Sequence, residues 1–197
     1  KCRSDNRSNC RTIQVEKELN RGSIKDMRKD KIHNRTIIVN TYKADDDCII
    51  VEGQLKDDKL IETNHYNGSI RPAKIIHNLI IRLLIDSRLT IKDVEVEMPE
   101  TPHEECPDTK TSLQQIVGMR ISRGFSVKVK DLFTQGTGCS HLIELILAMA
   151  PTAVQGFSTA MSSKPLPDNL RETMKLMLID TCWVWRSDGP AIKNLSV

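Results

Sequence analysis

The chain has 197 residues, of which 39% are hydrophobic and 28% are charged, an ordinary composition for a protein that folds around its own core. The net charge is +3, and aromatic residues make up only 4%, so Ile, Leu, Val and Met must supply most of the core. The longest apolar run, 142–150, contains Glu144 and is shorter than the roughly 18 residues that a membrane span needs. Composition therefore excludes collagen-like, coiled-coil and wholly disordered classes and predicts no membrane contact.

The first 35 residues form a basic segment. They contain eleven Lys and Arg against five Asp and Glu, a net +6, whereas residues 36–197 sum to −3. This imbalance is typical of an arm that orders on a protein partner, or of a solvated extension. No aromatic side chain in the arm offers a surface on which bases could stack, so nucleic acid is not the expected partner. We expect an arm over 1–35, one α+β domain over 36–190 and a tail over 191–197.

Six cysteines give an even count, which is compatible with disulfides, but a chain of this length can bury a core without them. No succession of basic, apolar and small residues marks a secretory signal. We therefore predict reduced thiols and a cytoplasmic protein. The chain begins with Lys1 and not with Met, which leaves a removed leader as an alternative.

Five short segments define the first part of the domain. The β-branched and aromatic residues of 36–43 and the apolar residues of 48–55 predict an antiparallel hairpin joined by the acidic turn 44–47. A further turn is predicted at 57–58 and a short edge strand at 60–63.

Residues 74–86 are apolar on both faces of a strand, which is typical of a central position in a sheet. Alternation places His77 on the same face as Leu79 and Ile81. The next strand is expected over 89–97, with Pro99 ending it.

The pattern becomes helical after Pro107. Segment 124–133 is compatible with a helix or a strand, and the ordered region is expected to end at 188–190. Further helices are predicted at 112–119, from Ser140 to about Met161 with a kink or break at Pro151, and at 170–183. Strands followed by helices predict an α+β fold, in which helices cover one face of an antiparallel sheet formed by about residues 36–97.

Four residues carry the predicted chemistry: His77, Cys106, Cys139 and His141. Cys106 lies in a proline-flanked turn, and Cys139 precedes a helix, where unpaired amides acidify a thiol. Two thiolates and two imidazoles suit zinc or an iron–sulfur cluster. Spacing leaves other interpretations open: Cys139 as a small core residue, His77 as a core histidine bonded to a carbonyl, or Cys139 as a nucleophile with a histidine base.

Several segments resemble a bacterial family catalogued only as a domain of unknown function, family 2889. The resemblance covers about residues 30–190, and its most specific pieces are Gly-Cys-Ser-His-Leu at 138–142 and Asp-Thr-Cys at 180–182. The family implies no established activity.

The order of the predicted elements is also similar to that of iron–sulfur cluster scaffold proteins of the NifU type. On this resemblance His77, Cys106 and Cys139 take the places of three thiolates that hold the cluster. The Cys-Gly-Asp and Gly-Cys-Gly pieces of those scaffolds are absent from this chain.

These observations predict an uncharacterised protein with a Cys/His metal site in a binding or assembly role, not catalytic by itself. One alternative is a small non-catalytic subunit of a multi-subunit enzyme complex, whose basic arm wraps a partner chain. That partner would contact residues 1–35 and the region of Trp183 and Trp185, the two tryptophans of the chain. Another alternative is a Cys-dependent enzyme that acts on a thioester or similar electrophile.

Overall fold

The structure, a computed structural model, describes residues 23–65, 67–133, 136–161 and 178–194. The chain divides into two compact units, 1–32 and 33–197. The described part of the first unit contains a short 3-10 helix, Ile24–Met27, in which the Ser23 hydroxyl accepts a hydrogen bond from the Lys25 amide. Residues 1–22, most of the predicted basic arm, lie outside the described residues.

The second unit contains a four-stranded antiparallel sheet and a separate two-stranded ribbon. In spatial order the strands of the sheet are β1 (His33–Lys43), β2 (Ile49–Lys59), β5 (Lys74–Ile85) and β6 (Ile91–Glu100). The ribbon consists of β3 (Thr63–Asn64) and β4 (Ile70–Arg71). The α+β class, the first hairpin and the central position of the 74–86 strand are confirmed.

Several strand boundaries differ from the prediction, and β1 begins at His33, within the segment expected to be the arm. β2 continues through 57–58, where a turn was expected, because β1 and β5 pair with it there. Residues 60–62 form no strand, and Thr63 begins the small ribbon. β6 continues past Pro99, which a register irregularity on an edge strand accommodates.

Helices follow the sheet in the chain. They are a 3-10 helix (Cys106–Ile116), α1 (Phe125–Leu132), α2 (Ser140–Met161) and α3 (Pro190–Asn194). The helix expected at 112–119 therefore starts and ends earlier, and the 124–133 segment is a helix. α2 passes through Pro151 without a break, since packing on both sides of that residue holds the helix together.

Two predictions concern the C-terminal part. The helix expected over 170–183 falls largely on residues outside the described ones, and residues 179–185 form turns, with Asp180 at a positive φ of 58°. The expected end of order at 188–190 is wrong, because α3 follows and Ile192 is 4% exposed.

The core lies between α2 and one face of the sheet. Fully buried side chains of α2 include Leu142, Leu145 and Met149, which pack with the inward residues of β2 and β5. Full burial of each such side chain contributes about 1.5–3 kcal/mol. Gly53 permits the close approach of the helix, since a Cβ there would lie 2.6 Å from the Met149 sulfur.

By length and composition, one described helix could cross a membrane, and it is the α2 segment Ser140–Ala160. A third of its most apolar window is buried, and the helix packs on the sheet as a core helix does. The described residues give no clear signature of a membrane protein, and the cytoplasmic location stays a prediction.

Candidate metal centre

A row of three polar side chains crosses the helix-covered face of the sheet. Arg35 on β1 is paired with Asp57 on β2, which is paired with His77 on β5. Side chains of successive strand residues alternate between faces, so this register places all three on the face that carries the apolar core. The row stands at the end of the sheet where the start of α2 covers it.

Asp57 is the centre of the row and is only 2% exposed. The Arg35 guanidinium donates two hydrogen bonds of 2.7 Å to its two carboxylate oxygens, and His77 Nδ1 lies 2.9 Å from Oδ2. His33 Nε2 lies 3.7 Å from Oδ1. The hydrogen bonds from Arg35, followed by that from His77, hold the pKa of Asp57 below its ordinary value, although burial acts to raise it. Asp57 is therefore a buried carboxylate that stays ionised.

The start of α2 and the residue before it bring three more polar side chains to the row. The His141 ring lies against the His77 ring, with 3.9 Å between their centroids. His141 Nδ1 is 3.8 Å from the Cys139 sulfur, and Glu144 Oε2 accepts a 2.5 Å hydrogen bond from Arg35 Nη1. Burial, followed by repulsion from His77, lowers the pKa of His141, which favours its neutral, metal-binding form.

The arrangement places three possible metal ligands near one another. One potential ligand atom each from Asp57, His77 and His141 lies within 4.8 Å of the other two. Zinc bonds of about 2.1 Å to nitrogen and about 2.3 Å to sulfur, at a tetrahedral angle, separate the two ligands by about 3.6 Å. The 3.8 Å between His141 and Cys139 is close to that separation.

Asp57 is better placed to orient His77 than to bind the ion directly. Both of its oxygens already accept hydrogen bonds from Arg35, and a divalent ion bound there would lie against the guanidinium charge. The bond to Asp57 fixes the proton of His77 on Nδ1 and leaves Nε2 as a lone-pair donor. A carboxylate that holds a ligating histidine in this way is a common feature of zinc sites.

The structure brings together two of the four residues that the sequence singled out. His77 and His141 meet at the start of α2 and form one group of possible ligands with Asp57. Cys139 lies 3.8 Å from His141 but is outside that group. Cys106 belongs to no group of three or more ligand residues among those described, and it packs against the core at the start of the 3-10 helix. The partner of His77 is a carboxylate, so the interpretation as a core histidine bonded to a carbonyl is wrong.

Sequence reasoning missed Arg35, Asp57 and Glu144. The run Lys56–Lys59 is wholly charged, and a turn is predicted at 57–58 within it, although the run continues β2. In the observed register Arg35 lies opposite Asp57, one inward pair beyond Ile37 and Leu55. Opposite charges at paired positions were the available signal.

A family model described as a protein of unknown function (DUF2889) matches residues 33–155, which include the whole sheet and the first part of α2. Searches of curated proteins and of solved structures find no match. The similarity to NifU-type scaffold proteins thus finds no support among solved structures.

Proposed function

We propose that this chain, which belongs to the family of proteins of unknown function DUF2889, binds a zinc-class divalent ion through His77, His141 and Cys139. Asp57 orients His77 in this proposal. The observation that supports it best is the group that His77 and His141 form with Asp57, in which one possible ligand atom of each lies within 4.8 Å of the other two. The Cys139 sulfur lies 3.8 Å from His141 Nδ1. The two histidines come from segments distant in the chain, and Asp57 is the buried, ionised carboxylate that holds His77.

The donor set favours zinc over an iron–sulfur cluster. Iron–sulfur clusters are held mainly by several cysteine thiolates, whereas the proposed donor set contains one thiol and two imidazoles. Mixed nitrogen and sulfur ligands in a tetrahedral arrangement suit zinc.

Metal titration of the apo protein tests the proposal. The chain is purified without a metal-affinity tag, stripped with a chelator and titrated with Zn²⁺ by calorimetry. We expect one ion per chain, and loss of that binding in His77→Ala and in His141→Ala. His103→Ala is the matched control, because His103 is exposed and outside the site. Binding that persists unchanged in both site variants would refute the proposal.

Cobalt substitution identifies the sulfur ligand. A thiolate bound to Co²⁺ gives a charge-transfer absorption band, which Cys139→Ala should abolish. Cys48→Ala should retain the band, since Cys48 directly precedes β2 and lies nine residues from Asp57, about 30 Å away at about 3.3 Å per residue. Loss of the band in Cys106→Ala instead would favour the ligand set predicted from the sequence.

A second candidate function is that of a subunit which docks on a partner chain through its C-terminal part. Trp183 is 79% exposed, and the Arg186 guanidinium lies 4.3 Å from its ring centre. An exposed tryptophan with a stacked arginine is a frequent anchor of protein interfaces. Co-purification with a larger chain that Trp183→Ala abolishes would support this candidate, and unchanged co-purification would count against it.

A further inference from the structure

The turn between β3 and β4 holds an asparagine followed by a glycine, the only Asn-Gly pair in the sequence. Asn67, Gly68 and Ser69 are all exposed, and Gly68 has a positive φ of 82°. Two backbone hydrogen bonds close the turn. The His65 amide donates to the Ser69 carbonyl at 2.8 Å, and the Gly68 amide donates to the His65 carbonyl at 2.9 Å. The Asn67 side chain thus belongs to a defined turn that water can reach.

Three hydrogen bonds meet at one atom of that side chain. Asn67 Oδ1 accepts a 2.7 Å bond from the Ser69 hydroxyl and a 3.1 Å bond from the Ser69 amide, and His65 Nδ1 lies 2.9 Å from it. Because a backbone amide can only donate, the atom that faces the Ser69 amide must be the side-chain oxygen of Asn67 and not its nitrogen. His65 Nδ1 must then carry the proton of the third bond.

These donors point at an oxygen that becomes negatively charged if the Gly68 nitrogen attacks Asn67 Cγ. The two atoms belong to neighbouring residues, so the attack is intramolecular and closes a cyclic imide. Gly68 has no Cβ to obstruct the approach. Hydrogen bonds to a charged oxygen are stronger than those to a neutral one, so the three donors stabilise the transition state more than the intact amide, as an oxyanion hole does.

We propose that Asn67 is a site of covalent self-modification, converted to Asp or isoaspartate through this imide. The Gly68 nitrogen loses its proton and bonds to Asn67 Cγ, the bond from Cγ to Nδ2 breaks, and Nδ2 leaves with that proton as ammonia. Water then breaks one of the two carbon–nitrogen bonds of the imide. Hydrolysis at Cγ gives Asp, and hydrolysis at the main-chain carbonyl gives isoaspartate. Water is the only co-reactant, and the product places a carboxylate beside His65.

The hydrogen bond from the Gly68 amide to the His65 carbonyl makes the sign of a variant's effect informative. This bond must open before the Gly68 nitrogen can attack. A substitution that only loosens the turn should therefore speed the conversion of Asn67. A substitution that removes a donor to Oδ1 should slow it.

The full chain is incubated in mildly alkaline buffer, and peptide mass spectrometry follows the amide-to-acid conversion. Asn67 should convert while Asn64, an exposed asparagine followed by His65, keeps its amide. Ser69→Ala removes the hydroxyl donor and keeps the backbone bonds of the turn. It should slow conversion about two- to tenfold, the rate equivalent of one hydrogen bond. Ser87→Ala, at an exposed serine in another turn, should leave the rate unchanged.

His65→Phe is the second variant, and it should also slow the conversion because it removes the Nδ1 donor. A rate in Ser69→Ala equal to or above that of the wild type overturns the proposal, whatever His65→Phe does. So does an Asn67 amide that is as persistent as that of Asn64. The result is independent of zinc binding, since the turn lies outside the group that Asp57 forms with the two histidines.

Discussion

Replacement of Arg35 by Met tests the electrostatic account of the site. Arg35→Met removes both hydrogen bonds to Asp57 and leaves a buried carboxylate with His77 as its main partner. Removing one partner of a buried ion pair costs about 3–5 kcal/mol. Because Arg35 is itself one-third exposed, we expect the lower end, about 3 kcal/mol. In a domain of this size that corresponds to a fall in Tm of about 6–12 °C.

Urea unfolding of the chelator-treated protein at pH 7 measures this cost. Arg82→Met is the matched control, since Arg82 is 33% exposed on the outer face of the same sheet and contacts Glu52 and Glu97, which are 32% and 52% exposed. Such surface pairs contribute about 0–1 kcal/mol.

A double-mutant cycle completes the test. In the Arg35→Met background, Asp57→Asn should cost much less than in the wild type, because the unpaired charge is already the main penalty. A loss below about 1 kcal/mol for Arg35→Met, equal to that of the control, would refute the reasoning. So would simple additivity of Arg35→Met and Asp57→Asn.

Three further predictions concern acid, packing and thiol reactivity. The pKa of Asp57 is lower in the folded protein than in the unfolded chain. The ionised Asp57 therefore stabilises the fold fully above its unfolded-state pKa of about 4, and this stabilisation is lost as the pH falls through its folded-state pKa. Asp57→Asn should therefore lose less stability than the wild type between pH 6 and pH 2 in urea titrations, and parallel losses would contradict this. Gly156→Ala should destabilise the protein more than Gly53→Ala does, by about 1–3 kcal/mol. A Cβ at position 156 would lie 2.6 Å from the Cβ of Thr41, whereas a Cβ at position 53 would meet the flexible end of the Met149 side chain. Equal thermal stability of the two variants would show that the helix can shift. Iodoacetamide should modify the exposed Cys182 first, as peptide mass spectrometry can show. Zn²⁺ should slow the modification of Cys139 and leave that of Cys48 unchanged. Equal protection of Cys139 and Cys48 by Zn²⁺ would argue against Cys139 as a ligand.

Most of the sheet could be predicted from the sequence because strand periodicity is a local signal. The alternation in 74–86 placed His77 on the face shared with Leu79 and Ile81, and the burial pattern of β5 agrees. Strand ends were less predictable, since β2 ends in charged residues that only the pairing with β1 and β5 holds in a strand. Pro99 likewise stays in β6 because an edge strand tolerates a missing amide.

The candidate site could be predicted only in part, for a physical reason. His77, Cys139 and His141 are residue types that stand out in a sequence for their own chemistry. Arg35 and Asp57 are ordinary surface residue types, and they gain their role from the register of two strands and from burial under α2. Long-range pairing of this kind leaves little trace in local composition.

The proline within β6 has a consequence for one of the two edges of the sheet. A molecule that tried to extend the sheet there would meet no amide at Pro99, together with the carboxylates of Asp93, Glu95 and Glu97 along the same strand. Missing donors and like charges are the means by which natural sheets avoid edge-to-edge aggregation. This border thus protects the protein from forming fibrils through the β6 edge of the sheet.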